Sequence, residues 1–120
     1  MKTVRVLLVD DEEDLVATLA ERLGLRGFDA EWVTTCEAAF EMLQHKQFHV
    51  AVLDIKLPRM SGLVLKRKME AVAPGMKFIF MTGHGSKKDF EEGSAEAGAS
   101  YYLLKPVDIE SLAKKIREMA

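Results

Sequence analysis

Five short runs read as strands along the chain, and the four that are almost wholly apolar stop on a polar residue. Val4–Val9 runs into Asp10-Asp11, and His49–Leu53 runs into Asp54. Lys77–Met81 ends at Thr82-Gly83, and Tyr101–Leu104 ends at Lys105-Pro106. The remaining run, Phe28–Val33, carries Trp32 near its end. Near-continuous hydrophobicity, rather than alternation, is what a strand covered on both faces requires, and parallel sheets supply that setting.

Between the runs the period lengthens to that of a helix. Leu15, Leu19 and Leu23 recur at four-residue steps, and Gly24 with Gly27 is expected to close that helix. Thr34 or Thr35 can cap a second, with Ala39, Phe40 and Leu43 on its inner face. Pro58 and Gly62 punctuate a loop before a stripe of Leu65, Met69 and Val72, and Pro74-Gly75 marks a turn. Residues 86–97 read as a weaker fourth helix, because Gly93 lies inside it. Asp108 caps a last one, with Ile109, Leu112, Ala113 and Ile116 turned inward. Five strands alternating with five helices imply βαβ units, hence a doubly wound, five-stranded parallel sheet with helices on both faces. Right-handed crossovers leave few topologies, the order 2-1-3-4-5 among them, and residues 1–120 are expected to form one domain.

The chain's 120 residues can bury roughly two-thirds of their unfolded surface, enough for one core without staples. Seventeen basic against 19 acidic side chains leave a net charge of −2, which removes the electrostatic case for a direct nucleic-acid or membrane-surface partner. Cys36 is the sole cysteine, so neither an internal disulfide nor a cysteine metal cage can form. No stretch approaches the ~20 apolar residues of a membrane span, and the first apolar run is too short for a signal-peptide core. A cytoplasmic protein is expected.

In such sheets ligands bind beyond the carboxyl ends of the strands, where the strand order reverses. If the order is 2-1-3-4-5, strands one and three are neighbours and Asp10, Asp11 and Asp54 converge there. Clustered carboxylates raise one another's pKa unless a cation joins them, and an all-oxygen site with room for water suits Mg²⁺ better than zinc. Lys105 can pair with a phosphoryl oxygen, the Thr82 hydroxyl can donate to another, and the backbone N–H groups of Gly83 and Lys56 can cradle the third. A carboxylate beside a divalent ion can act as nucleophile toward phosphorus, and Asp54 is the candidate, since the adjacent aspartate pair is better placed to hold metal. Taken alone, Asp10-Asp11 would be a helix-cap cluster, Thr82 a turn residue and Lys105-Pro106 a strand stop. Their placement at matching strand ends is what joins them.

Leu8-Val9-Asp10-Asp11-Glu12, then Asp54 through Gly62, then Met81-Thr82-Gly83, then Lys105-Pro106 together resemble the receiver domain of two-component response regulators, over essentially the whole chain. The resemblance implies a flavodoxin-like (βα)5 fold with strand order 2-1-3-4-5, and a phosphorylation-activated signalling switch rather than an enzyme. It implies that Asp54 accepts a phosphoryl group from a sensor histidine kinase or phosphotransfer protein. Asp11, Asp54 and the Lys56 carbonyl would ligate Mg²⁺, with Asp10 acting through water and Glu12 near the metal's waters. Thr82 and Tyr102 would be the switch residues, and Lys105-Pro106 would be a cis peptide. The output would be a downstream protein target or an output domain absent from this chain. Lys56 and His84 hold positions that vary in the family and tune phosphoryl lifetime, and Gly83 replaces the commoner alanine. Two rivals fit less well. An aspartyl-phosphate phosphatase needs an acid/base aspartate where Lys56 stands, and Asp10-Asp11 would repel the phosphate of a flavin nucleotide.

Overall fold

The computed structural model describes residues 3–83 and 102–120. Strand β1 (Arg5–Val9) leads through helix α1 (Glu13–Leu25) to β2 (Asp29–Val33), and α2 (Cys36–His45) leads on to β3 (Val50–Asp54). A small antiparallel ladder, β4 (Lys56–Leu57) with β5 (Met60–Ser61), precedes α3 (Gly62–Val72). Then come β6 (Lys77–Thr82), β7 (Tyr102–Leu104) and a closing helix, α4 (Ile109–Met119). The helix expected over 86–97, with His84 and Tyr101, lies outside the described residues.

Five strands form one parallel sheet in the order β2-β1-β3-β6-β7. Counting only these five, that is the doubly wound 2-1-3-4-5 order. Each central strand divides its side chains between two cores, as a pleat of period two must. Leu7, Val9, Ala51, Leu53, Phe78 and Phe80 pack with Ala39 of α2 and with Leu65 and Met69 of α3. Val6, Leu8, Val50, Val52, Ile79 and Met81 pack on the other face with α1 and α4. Helices on both faces explain why these strands carry no polar alternation.

Several local expectations are corrected. Gly24 lies inside α1, and only Gly27, at φ +92°, sits beyond its end in a conformation that suits glycine. The buried stripe of α1 is Val16, Leu19, Ala20 and Leu23, while Leu15 is only partly covered. Thr35, not Thr34, caps α2, accepting a hydrogen bond from Ala38 N–H at 3.1 Å. Phe28 and His49 fall just before their strands. Val72 is exposed, and the covered face of α3 is Gly62, Leu63, Leu65 and Met69. The Pro58–Gly62 loop is instead the β4–β5 ladder, turned by Pro58 and by Arg59 at φ 70°. No described helix is long and apolar enough to cross a membrane.

Candidate functional site

The register of β1 against β3 pairs Val9 with Leu53, so the residues that follow, Asp10 and Asp54, emerge side by side at the carboxyl edge. Both build the same local turn. Asp10 Oδ1 accepts from Glu12 N–H at 2.8 Å, and Asp54 Oδ1 accepts from Lys56 N–H at 3.1 Å. The Lys56 N–H, expected to face a phosphoryl oxygen, is therefore engaged by the Asp54 carboxylate itself. Asp10 is wholly buried, Asp54 is nearly so, and Asp11 is exposed. One oxygen from each of the three lies within 4.8 Å of the others.

Across from them, Lys105 follows β7. Its backbone N–H donates to Thr82 O at 2.6 Å, and the Lys105–Pro106 peptide is cis. The Lys105 ammonium reaches Glu12 Oε1 at 2.7 Å, Asp10 Oδ2 at 2.8 Å and Asp54 Oδ2 at 3.4 Å. Burial works against the Lys105 charge, but Asp10 and Glu12 outweigh it and hold the ammonium above the usual lysine range. Burial, then the neighbouring Asp10 charge, pushes the Asp54 carboxyl up from 3.8 to about 6. Asp10 is also raised by burial, against the opposing pull of Lys105.

Thr82 closes β6 one place beyond Met81, the residue paired with Asp54, and it is buried with its hydroxyl 3.4 Å from Gly83 O. Tyr102 is buried too, its ring centroid 6.4 Å from that of Phe80. A hollow of about 530 Å³ bordered by Phe48, His49, Met76 and Lys77 opens at the amino ends of the strands, away from these groups.

A family model described as the response regulator receiver domain matches residues 6–117. The chain belongs to this family. Receiver domains are signalling switches of two-component response regulators rather than classical enzymes. This one is 33% identical over 116 residues to the two-component response regulator PhoP of Pseudomonas aeruginosa, covering 97% of this chain and 51% of that protein. It is 34% identical to a solved CheY-like receiver domain protein from Methanospirillum hungatei, with a TM-score of 0.85, covering 98% of this chain and 93% of that one. A solved response regulator from Burkholderia pseudomallei is 25% identical, with a TM-score of 0.79 over 96% of this chain and 71% of that one. That structure is described with a phosphorylated aspartic acid, a calcium ion and citrate. The chain spans between 32% and 51% of the length of the curated relatives compared.

The acidic cluster of this receiver domain fits a hard divalent cation. Its three carboxylates supply oxygen alone, and Asp10 Oδ2 is buried without a well-formed hydrogen bond, though the Lys105 ammonium stands near it. Two contacts at the site were not legible in the sequence. Gly62 reads as punctuation, yet its N–H donates to Ile55 O at 2.8 Å, directly behind Asp54. Glu12 reads as helix-start charge or a neighbour of metal-bound water, and its pairing with Lys105 spans 93 positions. No sequence signal announces that contact.

Proposed function

We propose that residues 1–120 act as a single receiver unit that accepts a phosphoryl group on Asp54 from the phosphohistidine of a sensor histidine kinase or phosphotransfer protein. The observation that carries this reading is one cluster: Asp54 at a central strand end, beside Asp10 and Asp11, facing the ammonium of Lys105. In the step, an Asp54 carboxylate oxygen bonds to phosphorus as the donor's P–N bond breaks, leaving an acyl phosphate on Asp54 and the electron pair on the histidine nitrogen. Asp10, Asp11, Asp54 and the Lys56 carbonyl are the proposed holders of Mg²⁺, which when bound neutralises phosphoryl charge. Lys105 pairs with one phosphoryl oxygen. Thr82 and the Gly83 N–H serve others, and the Lys56 N–H joins them once it leaves Asp54 Oδ1.

The new dianion gives the Thr82 hydroxyl a better acceptor than the Gly83 carbonyl at 3.4 Å. Thr82 moving toward it changes the space available to Tyr102, and the protein-binding face built on β7 changes with it. The reader of that face is a downstream protein target or an output domain on a longer chain. A cytoplasmic setting, without direct nucleic-acid or membrane contact, belongs to the same proposal.

Incubation with acetyl phosphate and Mg²⁺ is expected to add one phosphoryl group, seen by intact mass and removed by hydroxylamine. EDTA should prevent it. Mg²⁺ alone should raise the urea midpoint, by ~2.7 kcal/mol of stability at a hundredfold excess over its Kd. A chain left unmodified under these conditions overturns the reading.

A further inference from the structure

The Lys105 ammonium sits closer to Glu12 Oε1, at 2.7 Å, than to Asp54 Oδ2, at 3.4 Å. Its other near partner, Asp10, is wholly buried, so losing that cation would leave its carboxylate without bulk solvation. Glu12 differs, because its side chain is 61% exposed and water can solvate its carboxylate if the lysine leaves. Both backbones are anchored: Glu12 N–H donates to Asp10 Oδ1, and Lys105 N–H donates to Thr82 O. Exchange of the ammonium between Glu12 and Asp54 therefore needs only side-chain rotation. Charge-assisted contacts of this length are at the strong end for hydrogen bonds, yet exposure and salt weaken them.

We propose that Glu12 is a positioning residue that holds Lys105 back from Asp54 and so slows phosphoryl transfer to it. The inference rests on the proposed acceptor role of Asp54. An incoming phosphoryl group must win the ammonium from Glu12, whose own negative charge stands beside the anionic donor's path. Because its Glu12 half is exposed to water and salt, the restraint is weak and easily displaced, worth about 3-fold in rate.

Glu12→Gln keeps the side chain's size and the Glu12 backbone turn while removing the charge. With acetyl phosphate and saturating Mg²⁺, its rate constant for adduct formation should rise about 3-fold over the parent. Glu13→Gln removes the same charge one residue later, where no ion pair with Lys105 forms, and should stay within about 1.5-fold. In the unphosphorylated protein, a double-mutant cycle of Glu12→Gln and Lys105→Gln should show coupling of about 3-fold in the unfolding equilibrium constant. Equal acceleration in both glutamine variants would assign the effect to general charge and overturn the proposal. Absent coupling overturns it also, as does coupling without acceleration, which leaves a merely structural contact. A parent that takes no phosphoryl group defeats the acceptor role of Asp54 and this inference with it. A labelled parent with an unchanged Glu12→Gln rate defeats this inference alone.

Discussion

Replacing Asp54 with asparagine is expected to abolish the phosphoryl adduct and, in the same protein, to make the unphosphorylated fold harder to unfold at pH 8. The first effect follows from chemistry, since an amide offers phosphorus no carboxylate nucleophile. The second follows from the site's charge. The Asp54 carboxyl is pushed by burial and by Asp10 from 3.8 to about 6 in the folded chain, so the folded state holds that proton more tightly than the unfolded one. Ionised Asp54 therefore opposes folding. Its penalty is absent below about pH 4, grows between 4 and 6, and is complete above 6. The rise, already net of the pull of Lys105, is worth at most ~3 kcal/mol, and burial of the polar amide offsets part of it, leaving a gain of roughly 1–2 kcal/mol. Urea unfolding in EDTA at pH 8 and pH 4.5 measures the gap, which should shrink in acid. Mg²⁺ should narrow it at pH 8 by stabilising the parent. A variant less stable than the parent at pH 8 would mean that the lysine contact outweighs burial. A variant that still carries the adduct would move the acceptor to another residue.

The central strands were legible because burial on both faces leaves an unbroken apolar run, as in Val6–Val9 and Val50–Leu53, whereas their order came with the family resemblance and not from the runs. The acids and Lys105 were legible for a related reason: each follows such a run, and the parallel register then brings their ends together. Helix faces were read less well. Val72 keeps the period of Leu65 and Met69 but is the last residue of α3, where periodicity continues without a neighbour to cover it. Gly24 reads as a stop signal, although α1 is held through it by packing at Val16, Leu19 and Leu23. The β4–β5 ladder has two residues per strand, too few to show an alternation. Contacts such as Glu12 with Lys105 depend on where two side chains point, and no spacing in the sequence encodes that.

Gly62 carries the other large effect. It is the first residue of α3, and a Cβ there would overlap the Asp54 carbonyl oxygen while lying 3.0 Å from both Asp54 C and Ile55 Cα. All three obstacles are backbone atoms, so no rotamer change can relieve them. The Gly62 N–H is also tied to Ile55 O at 2.8 Å, which leaves the start of α3 little freedom to retreat. Gly62→Val is expected to destabilise the fold by roughly 3 kcal/mol, and Gly62→Ala by about 1–2 kcal/mol, net of the ~1 kcal/mol that helix propensity returns to alanine. Because the displaced backbone is that of Asp54, phosphorylation should slow about 10-fold or more even at temperatures where the variant remains folded. Gly24→Ala is the matched control. It lies inside α1 with nothing within 4 Å of its added Cβ, so the same substitution should stabilise by ~1 kcal/mol. Urea midpoints and adduct rates for the two alanine variants decide the matter. If Gly62→Ala stabilises the chain as Gly24→Ala does and leaves the adduct rate unchanged, the close approach of α3 to Asp54 does not govern the site.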